Sequence, residues 1–347
     1  MRMARRLVIA LMLTVSLGMA QPPKLPLVAI EPAEPPAGSP LGAWEKNVEH
    51  LAGLGQGLLS FSLIWDRMLE AKPNQIDLRY LDLMLHASDQ FKLPILLVLH
   101  TITTNVNALP ADLKRKRLDD PAVLARFKTL LDDMLPRFKG RVPWLMIGNE
   151  VDVYFQDQPA ALAAFDRFYA AAYQEVKRLA PEVQVGLTFT YGGIRRHSEA
   201  FKTLGPRGDI NCLTYYPMGP NSQFEDPSVA DRDIGEMAVL VGPRKFILSE
   251  IGYGSAASLG SSEAKQAEFY RNVFQALRKH REHLVAAVFL HQQDWTTKAC
   301  DDFAAWYRMS GSHFKDYLCS LGIIDQNGRP KEAWKTFQEE MRGFTGH

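Results

Sequence analysis

The sequence has no glycine-rich phosphate loop: neither G-x-G-x-x-G nor a Walker-type G-x-x-x-x-G-K-[ST] occurs, which removes the usual grounds for a nucleotide site. It also lacks H-E-x-x-H, C-x-x-C and a calcium loop of regularly spaced Asp and Asn, so no metal and no cofactor is expected. A G-x-S-x-G nucleophile elbow is missing too, which argues against a serine hydrolase. Charge of one sign is not in surplus, with 40 Lys and Arg against 39 Asp and Glu and a net charge of +1. The one short basic run, Lys114-Arg115-Lys116-Arg117, reads as a solvated helix end or loop, and no nucleic-acid partner is expected.

Long apolar runs are scarce. The longest candidate, Leu7 to Leu17, falls below the ~18 to 20 residues that span a bilayer. It follows Arg2, Arg5 and Arg6 and precedes Gly18-Met19-Ala20. That order of basic, apolar and small residues predicts a signal peptide over 1–20, cleaved near Ala20, and an exported chain, periplasmic or extracellular, with no membrane span after cleavage. Removing three of the 40 basic residues leaves 37 against 39 acidic ones.

Cysteine is sparse. Cys300 and Cys319 share one polar segment and either close a short loop in an oxidising compartment or stay free thiols. Cys212, in an apolar run, reads as a small core residue.

What remains is a rhythm. After a Pro-rich segment over 21–40, the chain from Leu41 alternates apolar runs with amphipathic stretches. Counting an early patch at 25–30, eight apolar strands are separated by seven helical or connecting stretches. They fall near 57–65, 93–100, 143–150, 183–190, 209–216, 245–250 and 284–290. Helices are expected over 44–54, 78–91, 121–138, 159–179, 229–241 and 263–280, with Asp119-Asp120 as cap candidates for the third. A loop is expected from Thr296 to Leu321, then a closing helix near 331–341. Eight such units predict a single-domain (β/α)₈ TIM barrel over 41–347, its first strand in the early patch. No feature asks for an oligomer, and a monomer is expected.

Two of these runs end alike. Pro143 to Glu150 closes on Gly148-Asn149-Glu150, and Lys245 to Glu250 closes on a second carboxylate. On the strand count these are the fourth and the seventh, and in a barrel all strand ends meet at one face. Two carboxylates across a cleft suit glycosidic bond cleavage, with a gap of about 5–5.5 Å for retention and roughly 6.5–9.5 Å for inversion. Each Glu taken singly also suits a structural ion pair or a helix cap.

Asn149-Glu150 after strand four with Glu250 after strand seven resembles the clan A glycoside hydrolases, retaining (β/α)₈ enzymes. The resemblance implies that Glu150 is the acid/base, Asn149 a donor to the sugar hydroxyl beside the reacting carbon, and Glu250 the nucleophile. Tyr216-Pro217 at the end of strand six resembles the clan's tyrosine there, whose hydroxyl can orient the nucleophile, with Tyr215 an equally placed candidate; both count as candidate substrate-site residues. Trp295 is the candidate sugar platform, and His100 and Trp65 are candidate rim residues. Asp152, His291 and Asp294 lie near the same rim. Ile147 to Val151 and Tyr215-Tyr216-Pro217 are also similar to the arabinogalactan endo-galactanases, although the Trp-Pro after their acid/base is replaced here by Asp152-Val153-Tyr154-Phe155. The implied activity is hydrolysis of β-glycosidic bonds in an oligo- or polysaccharide. A non-catalytic carbohydrate-binding barrel and a transglycosylase using the same residues are the alternatives.

Overall fold

A computed structural model describes residues 26–33, 41–68, 76–219, 221–309 and 311–345. The expected signal peptide lies outside these residues.

Eight strands form one parallel sheet: β1 Leu27–Ile30, β2 Leu59–Ile64, β3 Ile95–Thr103, β4 Trp144–Asn149, β5 Gln184–Thr190, β6 Ile210–Tyr215, β7 Phe246–Ile251 and β8 Leu284–Phe289. Their order is β1-β8-β7-β6-β5-β4-β3-β2, and a two-residue strand, Val106–Asn107, pairs antiparallel with the end of β3. At the seam between β1 and β2, the Gly57 N–H donates to Val28 O at 2.8 Å and the Gln56 side chain accepts from the Ile30 N–H at 3.2 Å. The chain is a (β/α)₈ barrel.

The strands read as unbroken apolar runs because both of their faces are covered; all nine residues of β3 are buried. Alternate residues divide between two cores. Ala29, Leu96, Val98, Trp144, Met146, Ile210, Cys212, Ile247, Ala286 and Val288 fill the barrel interior. Their neighbours, such as Leu97, Leu145, Leu187, Leu213 and Leu248, pack outward against the helices.

The expected helices form with small shifts: α1 Leu41–Gly53, α2 Arg79–Phe91, α3 Pro121–Met134, α5 Leu162–Leu179, α8 Ala230–Val241, α9 Glu263–Lys279 and α12 Glu332–Thr345. The Asp120 side chain caps α3 by accepting from the Ala122 N–H at 2.8 Å, with Pro121 in the first turn where its missing N–H costs nothing. Short α4 Val151–Asp157 lies between β4 and α5, and short α6 Tyr191–Arg195 and α7 Glu199–Leu204 connect β5 to β6.

One expectation fails. The segment after β8 is not looped but forms α10 Thr297–Trp306 and α11 Ser312–Leu318, and a Cys300–Cys319 disulfide joins the two ends of the segment. Its polar composition hides the helices, which are short and hold together through aromatic contacts and the cross-link. Among the described residues, no helix is long and apolar enough to cross a membrane, and no cluster of His, Cys, Asp and Glu is placed to hold a metal ion.

Candidate active site

Strict alternation along β4 would point Trp144, Met146 and residue 148 inward and residue 149 toward the helices. Two local irregularities change that. Gly148 adopts φ +127°, and a Cβ there would lie 2.8 Å from Val151 Cγ1, so only glycine fits. The β3–β4 register also shifts between Leu99 and Thr103. Asn149 consequently turns into the barrel mouth, where its Nδ2 donates to Glu250 Oε1 at 3.4 Å. Glu150 follows in the left-handed region, at φ +48°, a conformation that costs a non-glycine residue energy and recurs at functional sites.

The seventh strand uses the same device. Leu213 pairs with Leu248, but Thr214 pairs with Glu250, so Ser249 is an extra residue on β7. Such a bulge re-aims the residue beyond it. Glu250 thereby faces the mouth, and the Tyr216 hydroxyl donates to its Oε2 at 2.7 Å. Glu150 is held from both sides: Thr104 Oγ1 donates to Oε2 and Thr214 Oγ1 to Oε1, each at 2.7 Å.

Burial pushes the Glu250 carboxyl well above the usual carboxylate range, and the charge of Glu150 and then of Glu31 push the same way. The donors Tyr216 and Asn149 pull it down without cancelling those effects. Burial and the Glu250 charge also drive the Tyr216 phenol far up, which keeps it a donor.

Both carboxyl groups line a cavity of about 740 Å³ with a wall rich in aromatic rings, among them Trp44, Trp295, Phe303, Trp306, Tyr307 and Tyr317. Of the residues singled out in the sequence, Glu150, Glu250, Asn149, Tyr216, His100 and Trp295 meet there. The His100 ring lies between Thr103 Oγ1 at 2.6 Å and Ser62 Oγ at 3.0 Å, and burial holds it down to about 3, hence neutral. Trp295 lies against Phe303 and His291, with ring centres 4.3 and 4.4 Å away.

Trp65 and Tyr215 do not reach the site. Trp65 stands one step past β2 on its outward-facing side, buried against Phe127 and Phe168. Tyr215 faces outward from β6, its hydroxyl donating to Asp233 Oδ2 at 2.9 Å, which leaves Tyr216 as the tyrosine at the carboxyl pair. Asp152 is buried beneath the mouth and accepts from the Thr190 N–H and Oγ1 at 2.8 and 2.6 Å. Asp294 lines the cavity but is engaged by Lys331 at 2.7 Å, and His291 pairs with Glu31 at 3.0 Å.

Four cavity residues escaped the sequence reading although signals for them exist. Glu31 directly follows the apolar β1, the same pattern that marked Glu150 and Glu250. Phe303, Tyr307 and Tyr317 belong to aromatic residues at helical spacing within the segment taken as a loop. Thr104 and Thr214 carry no such signal, since a lone hydroxyl at a strand end is common.

No family model matches the chain, and no curated protein matches its sequence. Solved structures do match. An exo-β-1,4-mannosidase from Opitutaceae bacterium strain TAV5 aligns over 93% of this chain at 18% identity and a TM-score of 0.69, and the aligned part is 60% of the mannosidase chain. A GH5_18 protein from Streptomyces cattleya, a glutamate-to-alanine variant in complex with Manβ1-4GlcNAc, aligns over 91% of this chain and 80% of its own at 15% identity and a TM-score of 0.71. β-Glucuronidase 2 from Bacteroides uniformis aligns over 93% of this chain and 35% of its own, at 13% identity and a TM-score of 0.63. None of these three is a galactanase, so the resemblance to galactanases gains no support from them. The chain is thus similar in fold to glycoside hydrolases built on a (β/α)₈ barrel.

Proposed function

We propose that the protein is a glycoside hydrolase that cleaves β-glycosidic bonds of an oligo- or polysaccharide by double displacement, with Glu150 as acid/base and Glu250 as nucleophile. One observation carries this reading: two carboxyl groups, delivered by distorted ends of β4 and β7, share an aromatic-walled cavity. In the first step Glu250 attacks the anomeric carbon while Glu150 protonates the leaving oxygen. In the second, Glu150 takes a proton from water, which displaces the sugar from Glu250 with overall retention. Asn149 and Tyr216 hold the Glu250 oxygens, and Tyr216 orients the attacking one. The aromatic wall offers faces for the C–H side of pyranose rings.

Because Glu250 must be ionised to attack, its raised proton affinity predicts that activity falls toward low pH at a higher value than for an ordinary carboxylate. The mannosidase and the Manβ1-4GlcNAc complex among the structural neighbours make β-mannosides the first substrates to try. Export through the N-terminal segment and action as a monomer belong to the same proposal.

The test is release of reducing ends from a panel of β-linked glycans by the wild type and by Glu250→Gln. Wild-type turnover abolished by the substitution is the expected result, with the product anomer read by NMR. Turnover that survives the substitution removes Glu250 from its role. Sugar binding without any turnover points instead to a carbohydrate-binding barrel.

A further inference from the structure

A third carboxylate, Glu31, stands at the mouth without a part in the displacement. Alternate residues of a strand share a face. Ala29 fills the barrel interior, so Glu31, two positions on, keeps that face and lines the cavity. Its backbone is fixed on both sides: the Glu31 N–H donates to Phe289 O and Glu31 O accepts from the Gln292 N–H, each at 2.9 Å. The buried Gln292 side chain accepts from the Ala33 N–H at 2.8 Å, which ties the chain after β1 to the end of β8.

The side chain is fixed as well. His291 Nδ1 lies 3.0 Å from Glu31 Oε2, and the His291 ring is held against Trp295, with ring centres 4.4 Å apart. Backbone pairing already joins β1 to β8 from Leu27 to Ile30, so the two strands do not depend on this side-chain pair to stay together. Glu31 Oε1 takes no donor among the described residues. A carboxylate can only accept, so that oxygen suits a sugar hydroxyl and repels a second carboxylate. The Glu31 charge reaches the reacting centre: after burial and the charge of Glu150, it is a further influence that raises the proton affinity of Glu250.

The other charges around the cavity have to be weighed against it. Asp294 is neutralised by Lys331 at 2.7 Å, and His100 is held neutral by burial. The reaction requires one proton on the catalytic pair, which leaves one catalytic carboxylate and Glu31 against Arg67 beyond β2. The Arg67 guanidinium sits 4.9 Å from the Trp306 ring centre, on the α10 side of the mouth. His291 is paired with Glu31, and in either of its protonation states Oε1 remains an acceptor.

We infer that Glu31, braced by His291, selects the sugar by charge: the unit transferred to Glu250 is an uncharged hexose with a hydroxyl that donates to Glu31, and a uronic acid unit is rejected. This rests on the glycoside hydrolase reading above and adds the charge class of its substrate.

The test uses nitrophenyl β-glycosides of mannose, glucose and galactose, each matched with the glycoside of its uronic acid, and the full chain as wild type, Glu31→Gln and Glu31→Ala. Opposed like charges at close quarters suppress the wrong partner strongly, so the wild type should cleave its best neutral glycoside at least about tenfold more efficiently, in kcat/KM, than the matched uronide. Both substitutions should raise the uronide-to-neutral ratio by about tenfold as that repulsion is lifted. A pair that only braced the strands would lower Tm and leave the ratio unchanged, which overturns the inference. A wild type that prefers a uronide overturns it too, because Arg67 would then govern the mouth. Should the wild type cleave none of the glycosides, the hydrolase reading fails, and the same ratio is read by the same criteria from Kd in calorimetric titrations with these compounds. Binding to none of them overturns both.

Discussion

Removing the Cys300–Cys319 bond tests whether the aromatic wall depends on its cross-link. The bond joins residues separated by 19 positions, across a segment that carries Phe303, Trp306, Tyr307, Phe314 and Tyr317 into the cavity. Closing a loop of that length lowers the entropy of the unfolded chain by an amount worth about 3 kcal/mol at 25 °C. If α10 and α11 unfold together with the barrel, the double substitution Cys300→Ala/Cys319→Ala lowers Tm by roughly 6 °C, using about 2 °C per kcal/mol for a large domain. Alanine suits the buried Cys300 site, because it adds no polar group. If the segment instead opens by itself, Tm changes little, but the aromatic wall is formed only part of the time, and on the proposed function the apparent glycan Kd rises in proportion. Calorimetry and glycan titration of the variant and of the reduced wild type separate the two cases. Unchanged Tm together with unchanged Kd would refute the argument, since packing alone would then hold the segment.

Three further outcomes are expected. His100 is held down to about 3 by burial, so the unfolded chain takes up its proton first; stability is intact above the ordinary His value and falls as pH drops from ~6.5 toward about 3, by up to about 5 kcal/mol. Urea midpoints measured against pH should show this slope, and His100→Gln should flatten it. Lys331 and Asp294 form a buried pair, with side chains 4% and 9% exposed, and Lys331 also donates to Ser320 O and Gly322 O. Lys331→Met should cost about 3–5 kcal/mol in urea unfolding, and adding Asp294→Asn should recover part of that loss. Gly148→Ala forces a side chain onto φ +127° and against Val151, and should cost about 2 kcal/mol while lowering kcat through displacement of Asn149 and Glu150.

Much of the barrel was legible in the chain. Strands buried on both faces must be apolar throughout, so β2 to β8 stand out as runs, and helices that bury one face must repeat apolar residues at helical spacing. The order of those signals was enough to place Glu150 and Glu250 at the ends of the fourth and seventh strands, because parallel strands in a barrel share one mouth. Trp65 and Tyr215 were misplaced because each sits one residue from a site position, and a single step along a strand reverses the face. The two α10–α11 helices were missed because short polar helices take their stability from contacts that only the folded chain provides.

The sequence by itself determined the number and order of the strands, and that Glu150 and Glu250 end two of them. The tertiary structure alone decided where those carboxylates point, through the Gly148 conformation and the register shifts beside Asn149 and Glu250. It alone set their partners as well: Thr104 follows β3, whereas Thr214 and Tyr216 lie at the end of β6, and they meet the two carboxylates only in the folded chain. Periodicity reports which face of an element is buried, whereas a bulge or a hydrogen bond between strand ends arises only when distant stretches of chain are packed side by side.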